Sequence, residues 1–147
     1  MVRVNIKVKE GFEDLELPEH TTRGAAAVDL RAAIKDTIVL EPGKSALIPT
    51  GIHLEIPLGY MAHITPRSGL AFKHGISIVN SPGIIDSDYR GEIGVILINH
   101  GQKEFHVHRG NRIAQMTILQ VEPTEFEVVK ELSDTKRGEG GFGHTGK

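Results

Sequence analysis

The sequence predicts an all-β domain, a sandwich or barrel of many short strands, on three observations. The dominant hydrophobic period is two: Val2, Val4, Ile6 and Val8 alternate with polar residues, as do Ile52, Leu54 and Ile56, and later Phe105 and Val107. Turn residues punctuate the apolar runs at regular intervals, and no long amphipathic helix breaks the series. Short period-two segments with regular Gly/Pro/Asn punctuation bury one face each, which two packed sheets or a closed barrel can satisfy.

In chain order, the alternating start over Val2–Val8 is the first strand. The β-rich runs Thr37–Leu40 and Ser45–Ile48 follow, separated by Glu41-Pro42-Gly43-Lys44. Ile52–Ile56 ends at Pro57-Leu58-Gly59. The one short helix is placed at Arg67–Lys73, because Pro66 suits a position at or just before a helix start. Gly75–Asn80 is a strand that ends at Ser81-Pro82-Gly83. Ile93–Asn99, Ile113–Val121 and Phe126–Val129 complete the set, with breaks at His100-Gly101-Gln102 and Glu122-Pro123. The run Ile93–Ile98 is apolar without alternation, so both faces of that strand are expected to be buried. Burial inside one subunit explains that run most simply; a subunit interface is the alternative.

Composition narrows the class. A chain of 147 residues fits one domain. A domain of this size buries roughly 70% of the surface its unfolded chain exposes, so it needs no staple. Cysteine is absent, which excludes disulfides and thiolate metal sites. A net charge of −2 carries no basic excess for nucleic acid or an anionic membrane. No stretch approaches the roughly 20 apolar residues of a membrane helix, and the first residues lack the apolar core of a signal peptide. The expectation is a cytoplasmic or otherwise intracellular protein.

The segment Arg137–Lys147 differs from the rest. Five of its eleven residues are glycine, so it cannot pack a core. The domain is therefore placed at 1–136, with 137–147 as a flexible arm. A glycine-rich backbone can approach phosphate oxygens, Arg137 can pair with them, and the Phe142 ring can stack on a base. Fraying is the plain alternative.

Other clusters carry candidate chemistry. Gly43-Lys44-Ser45 ends like a Walker A loop, but the glycine required five residues earlier is Ile38, so it reads as a turn. His106 and His108 share one strand face, and spacing fixes no third metal ligand for them. Asp29 sits among small and apolar neighbours, a costly place for an acid unless it caps a turn or meets a cation or backbone donors. Arg67, Ser68 and Gly69 offer a guanidinium, a hydroxyl and accessible N–H groups where the helix begins, a set suited to an oxyanion. Asp86–Glu92 is the densest cluster, with three acids, Tyr89 and Arg90 in a turn. Asp86 and Asp88 point the same way if the chain there is extended, and one of them can orient a water as general base. Arg112 and Gln115 follow a turn; Arg112 suits a structural pair with a carboxylate and Gln115 a ligand contact.

Singly these signals are weak. Their order is specific: Asp29, then Pro-Arg-Ser-Gly-Leu-Ala at 66–71, Ile-Asp-Ser-Asp-Tyr-Arg-Gly-Glu at 85–92, Arg112 to Gln115, and Arg-Gly-Glu-Gly-Gly-Phe-Gly at 137–143. Together they resemble the five motifs of the trimeric dUTPase family over about residues 24–146. The resemblance implies a jelly-roll β-barrel-like subunit, a homotrimer whose active sites draw on all three chains, and a C-terminal arm that closes over a site. It implies Mg2+-assisted hydrolysis of dUTP to dUMP and pyrophosphate by water attack at the α-phosphate. That reaction limits uracil incorporation into DNA and supplies dUMP for thymidylate synthesis.

Roles carried over by the resemblance are as follows. Asp86 activates or positions the water, and the Tyr89 ring packs against deoxyribose. Asn80 and the following β-hairpin, including Ile84, Ile85 and Gly94, read uracil. Arg67, Ser68, Gly69 and Gln115 bind phosphates, Arg137 meets the γ-phosphate, and Phe142 stacks on the base beside Gly143 and His144. Asp29 touches the metal through water. The chain departs from the family pattern at Ala27, Val28 and His144, where glycine, an aromatic or another apolar residue, and serine are commoner. Protonated His144 is the better phosphate donor, so triphosphate binding is expected to tighten below neutral pH. A dCTP deaminase would carry a different second motif and no Phe-containing final motif. A non-catalytic binding module or a structural jelly roll leaves the 86–92 cluster and the tail unexplained.

Overall fold

The strands form where apolar side chains alternate, and the turns between them fall on the Gly and Pro punctuation. The computed structural model describes residues 1–141. Its elements are β1 (Asn5–Val8), β2 (Val28–Arg31), β3 (Ile38–Leu40), β4 (Ser45–Glu55), β5 (Tyr60–Thr65), α1 (Ser68–His74), β6 (Ile76–Ile78), β7 (Gly83–Ile85), β8 (Glu92–Asn99), β9 (Phe105–Val107) and β10 (Arg112–Gln120). Two four-stranded antiparallel sheets, ordered β1-β4-β8-β6 and β2-β10-β5-β7, face one another, and β3 pairs with β9. The core between them is aliphatic, with Leu30, Leu40, Ile48, Ile93, Leu97 and Ile113 among its fully buried side chains. The architecture is jelly-roll-like, mostly β with one short helix. No helix among the described residues is long and apolar enough to cross a membrane.

Several expectations change. Ser45–Ile48 and Ile52–Ile56 are not two strands: residues 45–55 form the single long β4. A bulge between Pro49 and His53 keeps both halves on β8 by placing three β4 residues opposite the single residue Ile93. Gly51 sits in that bulge at φ 69°, and a Cβ there would lie 2.8 Å from the Ala33 Cβ, so the position requires glycine. Strands β2 and β5 are additional elements. Both are short, and Ala62 supplies one of the two buried positions of β5, a weak hydrophobic signal.

The apolar run in β8 is not buried on both faces. Ile93, Val95 and Leu97 are buried, whereas Gly94, Ile96 and Ile98 are only partly covered. Within one subunit the second face of β8 is left half open. Phe126–Val129 forms no strand: every residue from Glu122 to Glu139 is exposed, with Phe126 at 92% and Val128 at 99%. The alternation there is strand-like, but it finds no ladder partner among the described residues.

Candidate functional site

The turn 86–91 joins β7 to β8, and those strands belong to different sheets. β7 pairs with β5, and β8 pairs with β4 and β6. The segment expected as a hydrogen-bonded hairpin is therefore a bridge across the sandwich, because the ladder partners of its two arms lie on opposite layers. Beside this bridge, on the half-open face of β4 and β8, lies a pocket of about 270 Å³ lined by Leu47, Ile84, Ile85, Asp86, Tyr89, Glu92, Gly94 and Ile96. That volume is near the lower end of ligand pockets, roughly 300–1,000 Å³, and holds one small ring system. Five sequence-predicted residues (Ile84, Ile85, Asp86, Tyr89, Gly94) meet here. Leu47 and Ile96 join them from strands whose sequence carries no motif, so only the fold reveals them.

Asp86 and Asp88 do not extend side by side. The Tyr89 N–H donates to the Asp86 carbonyl at 3.2 Å, closing a turn. Asp86 lines both this pocket and a wider outer cleft formed with Leu58, Met61 and Pro123, whereas Asp88 lines the cleft and not the pocket. Among the described residues the Asp86 carboxylate has no hydrogen-bond or ion-pair partner. The Tyr89 hydroxyl donates to the Glu92 carbonyl at 3.1 Å, and its ring lies over Gly91, where any Cβ would collide with it. The Arg90 guanidinium is turned back onto the Ser87 and Tyr89 carbonyls, at 2.7 and 3.0 Å, and stiffens the same turn. Asn80 is exposed beyond β6, with its amide nitrogen close to Gly83 at the far end of β7.

A second cluster forms where β5 leads into α1. Asp29 on β2 is held by Arg67 (Nε to Oδ1, 2.7 Å) and Arg112 (Nη1 to Oδ2, 3.3 Å). The Arg112–carboxylate pair anticipated from sequence is thus made with Asp29, at a half-exposed rather than interior place. Gln115 lies opposite Asp29 and Thr65 in the ladder, and its amide donates to the Thr65 hydroxyl and the Pro66 carbonyl, both at 3.2 Å. Ser68 and Gly69 are exposed at the first turn of the helix. Arg67, the residue before the helix, is extended, so its side chain leaves the helix axis toward Asp29. His106 and His108 have separate protein partners, Glu104 at 2.8 Å and Thr37 at 2.9 Å.

The two clusters are far apart. Ala62 pairs with Ile85 and Ile64 with Gly83, which sets Asp86 beside Met61; Arg67 is six residues further on, two past the end of β5. At about 3.3 Å per residue, the separation is about 20 Å. Arg137 is in neither cluster; its Nε donates to the Gly140 carbonyl at 2.8 Å within its own turn. Phe142, Gly143 and His144 lie outside the described residues.

A jelly-roll-like subunit with a free carboxylate at a ring-sized pocket and an arginine cluster elsewhere on the same sheet has the parts of an enzyme acting on a phosphorylated ring compound. Comparison with known proteins gives the family. The dUTPase family model matches residues 13–146. A deoxyuridine 5'-triphosphate nucleotidohydrolase of Rhizobium rhizogenes is 58% identical over 134 residues, covering 90% of this chain and 86% of its own. One of Chlamydia pneumoniae is 60% identical, covering 89% and 91%. Among solved structures, a mutant dUTPase of Staphylococcus bacteriophage 80alpha with dUpNHpp superposes with a TM-score of 0.87 at 27% identity, over 99% of both chains. The chain belongs to the dUTPase family, and it is a hydrolase of dUTP.

Proposed function

We propose that this chain hydrolyses dUTP to dUMP and pyrophosphate at a site assembled from more than one subunit of a homotrimer, with Asp86 directing water to the α-phosphorus. The observation that carries the reading is the position of Asp86: a carboxylate without a protein partner at the mouth of a ring-sized pocket. Such a group is available to accept a proton from an attacking water, and no covalent intermediate is needed. Uracil fits between β7 and β8, where backbone groups near Ile84, Ile85 and Gly94 read its edge. The Tyr89 ring crowds the 2′ position of the sugar and disfavours ribose.

The separation of the clusters supports the shared site. One triphosphate cannot reach from the pocket at Asp86, beside one end of β5, to Arg67, about 20 Å away just past the other end. The phosphate-binding group Arg67, Ser68, Gly69 and Gln115 therefore serves a pocket on a neighbouring subunit. The part of the half-open β8 face outside the pocket, around Ile98, and the exposed 122–136 segment, which are uncovered in one chain, are surfaces that assembly would bury. Residues 137–147 are the arm: Arg137 pairs with the γ-phosphate, and Phe142, flanked by Gly143 and His144, covers the base. Ordering a glycine-rich arm costs conformational entropy, which the nucleotide contacts offset. Action on the cellular dUTP pool, keeping uracil out of DNA and supplying dUMP, gives the protein an intracellular place.

The dUTPase family is generally magnesium-dependent. The residues here fit a magnesium ion carried mainly by the substrate. Among the described residues no group of three or more His, Asp or Glu is arranged to hold a metal directly. Asp29 is oriented by two guanidinium groups, yet each of its oxygens retains a lone pair for a metal-bound water. When bound, magnesium supplies charge neutralisation and phosphate orientation, keeping several of its own waters.

The test is pyrophosphate release from dUTP, dCTP, dTTP and UTP, with magnesium or chelator, while ammonia is followed. Magnesium-dependent release from dUTP alone, without ammonia, is the expected result. Ammonia from dCTP would assign a deaminase instead, and equal rates on dUTP and UTP would remove Tyr89 from its role.

A further inference from the structure

The bulge in β4 leaves a backbone donor that the β4–β8 ladder does not use. Pairing runs from Pro49–Gly94 directly to His53–Glu92, so Gly51 has no partner residue on β8. Its N–H is instead taken by a side chain: it donates to Glu92 Oε1 at 3.0 Å. The other carboxylate oxygen, Oε2, accepts from Lys9 Nζ at 2.7 Å. Lys9 is itself fixed to the bulge, because its backbone N–H donates to the Gly51 carbonyl at 2.8 Å. Glu92 thus closes a ring of bonds joining the end of β1, the bulge and the start of β8. The same residue's carbonyl accepts the Tyr89 hydroxyl at 3.1 Å.

We propose that Glu92, braced by Lys9, is a positioning residue for sugar discrimination: it fixes the carbonyl on which the Tyr89 hydroxyl is anchored. The inference rests on the reading of Tyr89 as the residue that packs against deoxyribose. A ring excludes a single added hydroxyl only if it cannot retreat by a fraction of an ångström, and Tyr89 is 45% exposed, with little packing to stop it. Its restraints are the Gly91 backbone beneath the ring and the anchor at Glu92. Without the Glu92 carboxylate, the Gly51 N–H loses its acceptor and the start of β8 loses its tie to β1. The carbonyl then moves with the strand end, and Tyr89 moves with it. No separate role for Glu92 is visible in the sequence, because the donor it satisfies is 41 residues earlier.

The experiment compares kcat/KM for dUTP and UTP in wild type, Glu92→Ala, Glu92→Gln, Tyr89→Phe and the Glu92→Ala/Tyr89→Phe double variant. Glu92→Ala is expected to lower the dUTP:UTP ratio about fivefold to tenfold, the worth of one displaced hydrogen bond. Glu92→Gln keeps an oxygen for the Gly51 N–H and should restore most of that ratio. The double variant should discriminate no worse than Tyr89→Phe, since both changes act through one contact. An unchanged ratio in Glu92→Ala, or additive losses in the double variant, would overturn the proposal. Should Glu92→Ala not fold, Lys9→Met takes its place: a ratio lowered in wild type but not in Tyr89→Phe supports the proposal, and no change refutes it. Wild type that fails to prefer dUTP would fault the reading of Tyr89 instead.

Discussion

The pocket at turn 86–91 and the arginine cluster before α1 lie at the two ends of β5, and they are built from different interactions. The pocket is shaped by side chains anchored on backbone carbonyls, Tyr89 on that of Glu92 and Arg90 on two others, with Gly91 under the Tyr89 ring. The cluster is held by exchangeable charge, with Asp29 shared between Arg67 and Arg112. A base and a sugar are recognised by shape, which demands fixed walls. Phosphates are recognised by charge, and guanidinium groups already paired to a carboxylate can be partly handed over to them without leaving a bare cation behind. Changes at the pocket end should therefore alter what reacts and how fast, and changes at the charged end how tightly it is held.

The largest effect should come from Asp86→Asn, which keeps the shape and removes the carboxylate proposed as the base. Turnover is expected to fall about 100-fold to 10,000-fold with nucleotide binding retained. Paired with Arg67→Ala, the same variant tests whether the two ends of β5 serve one site or two. If Asp86 and Arg67 reach a given nucleotide from different subunits, trimers assembled at random from equal amounts of the two defective chains regain activity in about one quarter of their sites. Activity that stays at the level of the separate variants after verified subunit exchange would place both residues in one chain's site and break the comparison.

Removal of residues 137–147 is the next largest. The deletion leaves in place every side chain that is buried among the described residues, so thermal unfolding and oligomeric state should match the full chain. Turnover is expected to fall on the order of 100-fold, because the nucleotide loses its cover and its orientation. A deleted chain with full turnover would return the arm to a frayed end.

The fold and the site were legible in the sequence to different depths. Period-two alternation placed β1, the second half of β4 and β9, short β-rich runs placed β3, β6, β8 and β10, and Pro66 placed the helix, because local composition and turn chemistry report where a strand can form. The same local logic gave Phe126–Val129 a strand that a single chain does not provide, since a ladder needs a partner that alternation cannot name. The ordered motifs named Asp86, Tyr89, Ile84, Ile85 and Gly94, which the fold gathers at one pocket. They did not separate that pocket from Arg67, because distance along β5 depends on register. Leu47 at the pocket carries no local signal, and Glu92 is marked in sequence only as one acid of the 86–92 cluster; both acquire their positions from pairing between strands distant in sequence.

The smallest effect, and the sharpest on the charged end, is expected from Asp29→Asn. The pair with Arg67 is partly exposed, with Asp29 at 23% and Arg67 at 25% of full side-chain accessibility, so solvent screens it. Loss of the charge should cost stability by no more than about 1 kcal/mol. Binding should respond more: Arg67 and Arg112 lose the carboxylate that aims them, and metal-bound water loses a charged acceptor. KM for dUTP is expected to rise about tenfold with a smaller change in kcat, the value of one hydrogen bond to a charged group. The dUTP:UTP ratio should be unmoved, because no shape has changed at Tyr89. A fall in that ratio would mean that charge at one end of β5 tunes shape at the other, and the division of labour between the two ends would have to be abandoned.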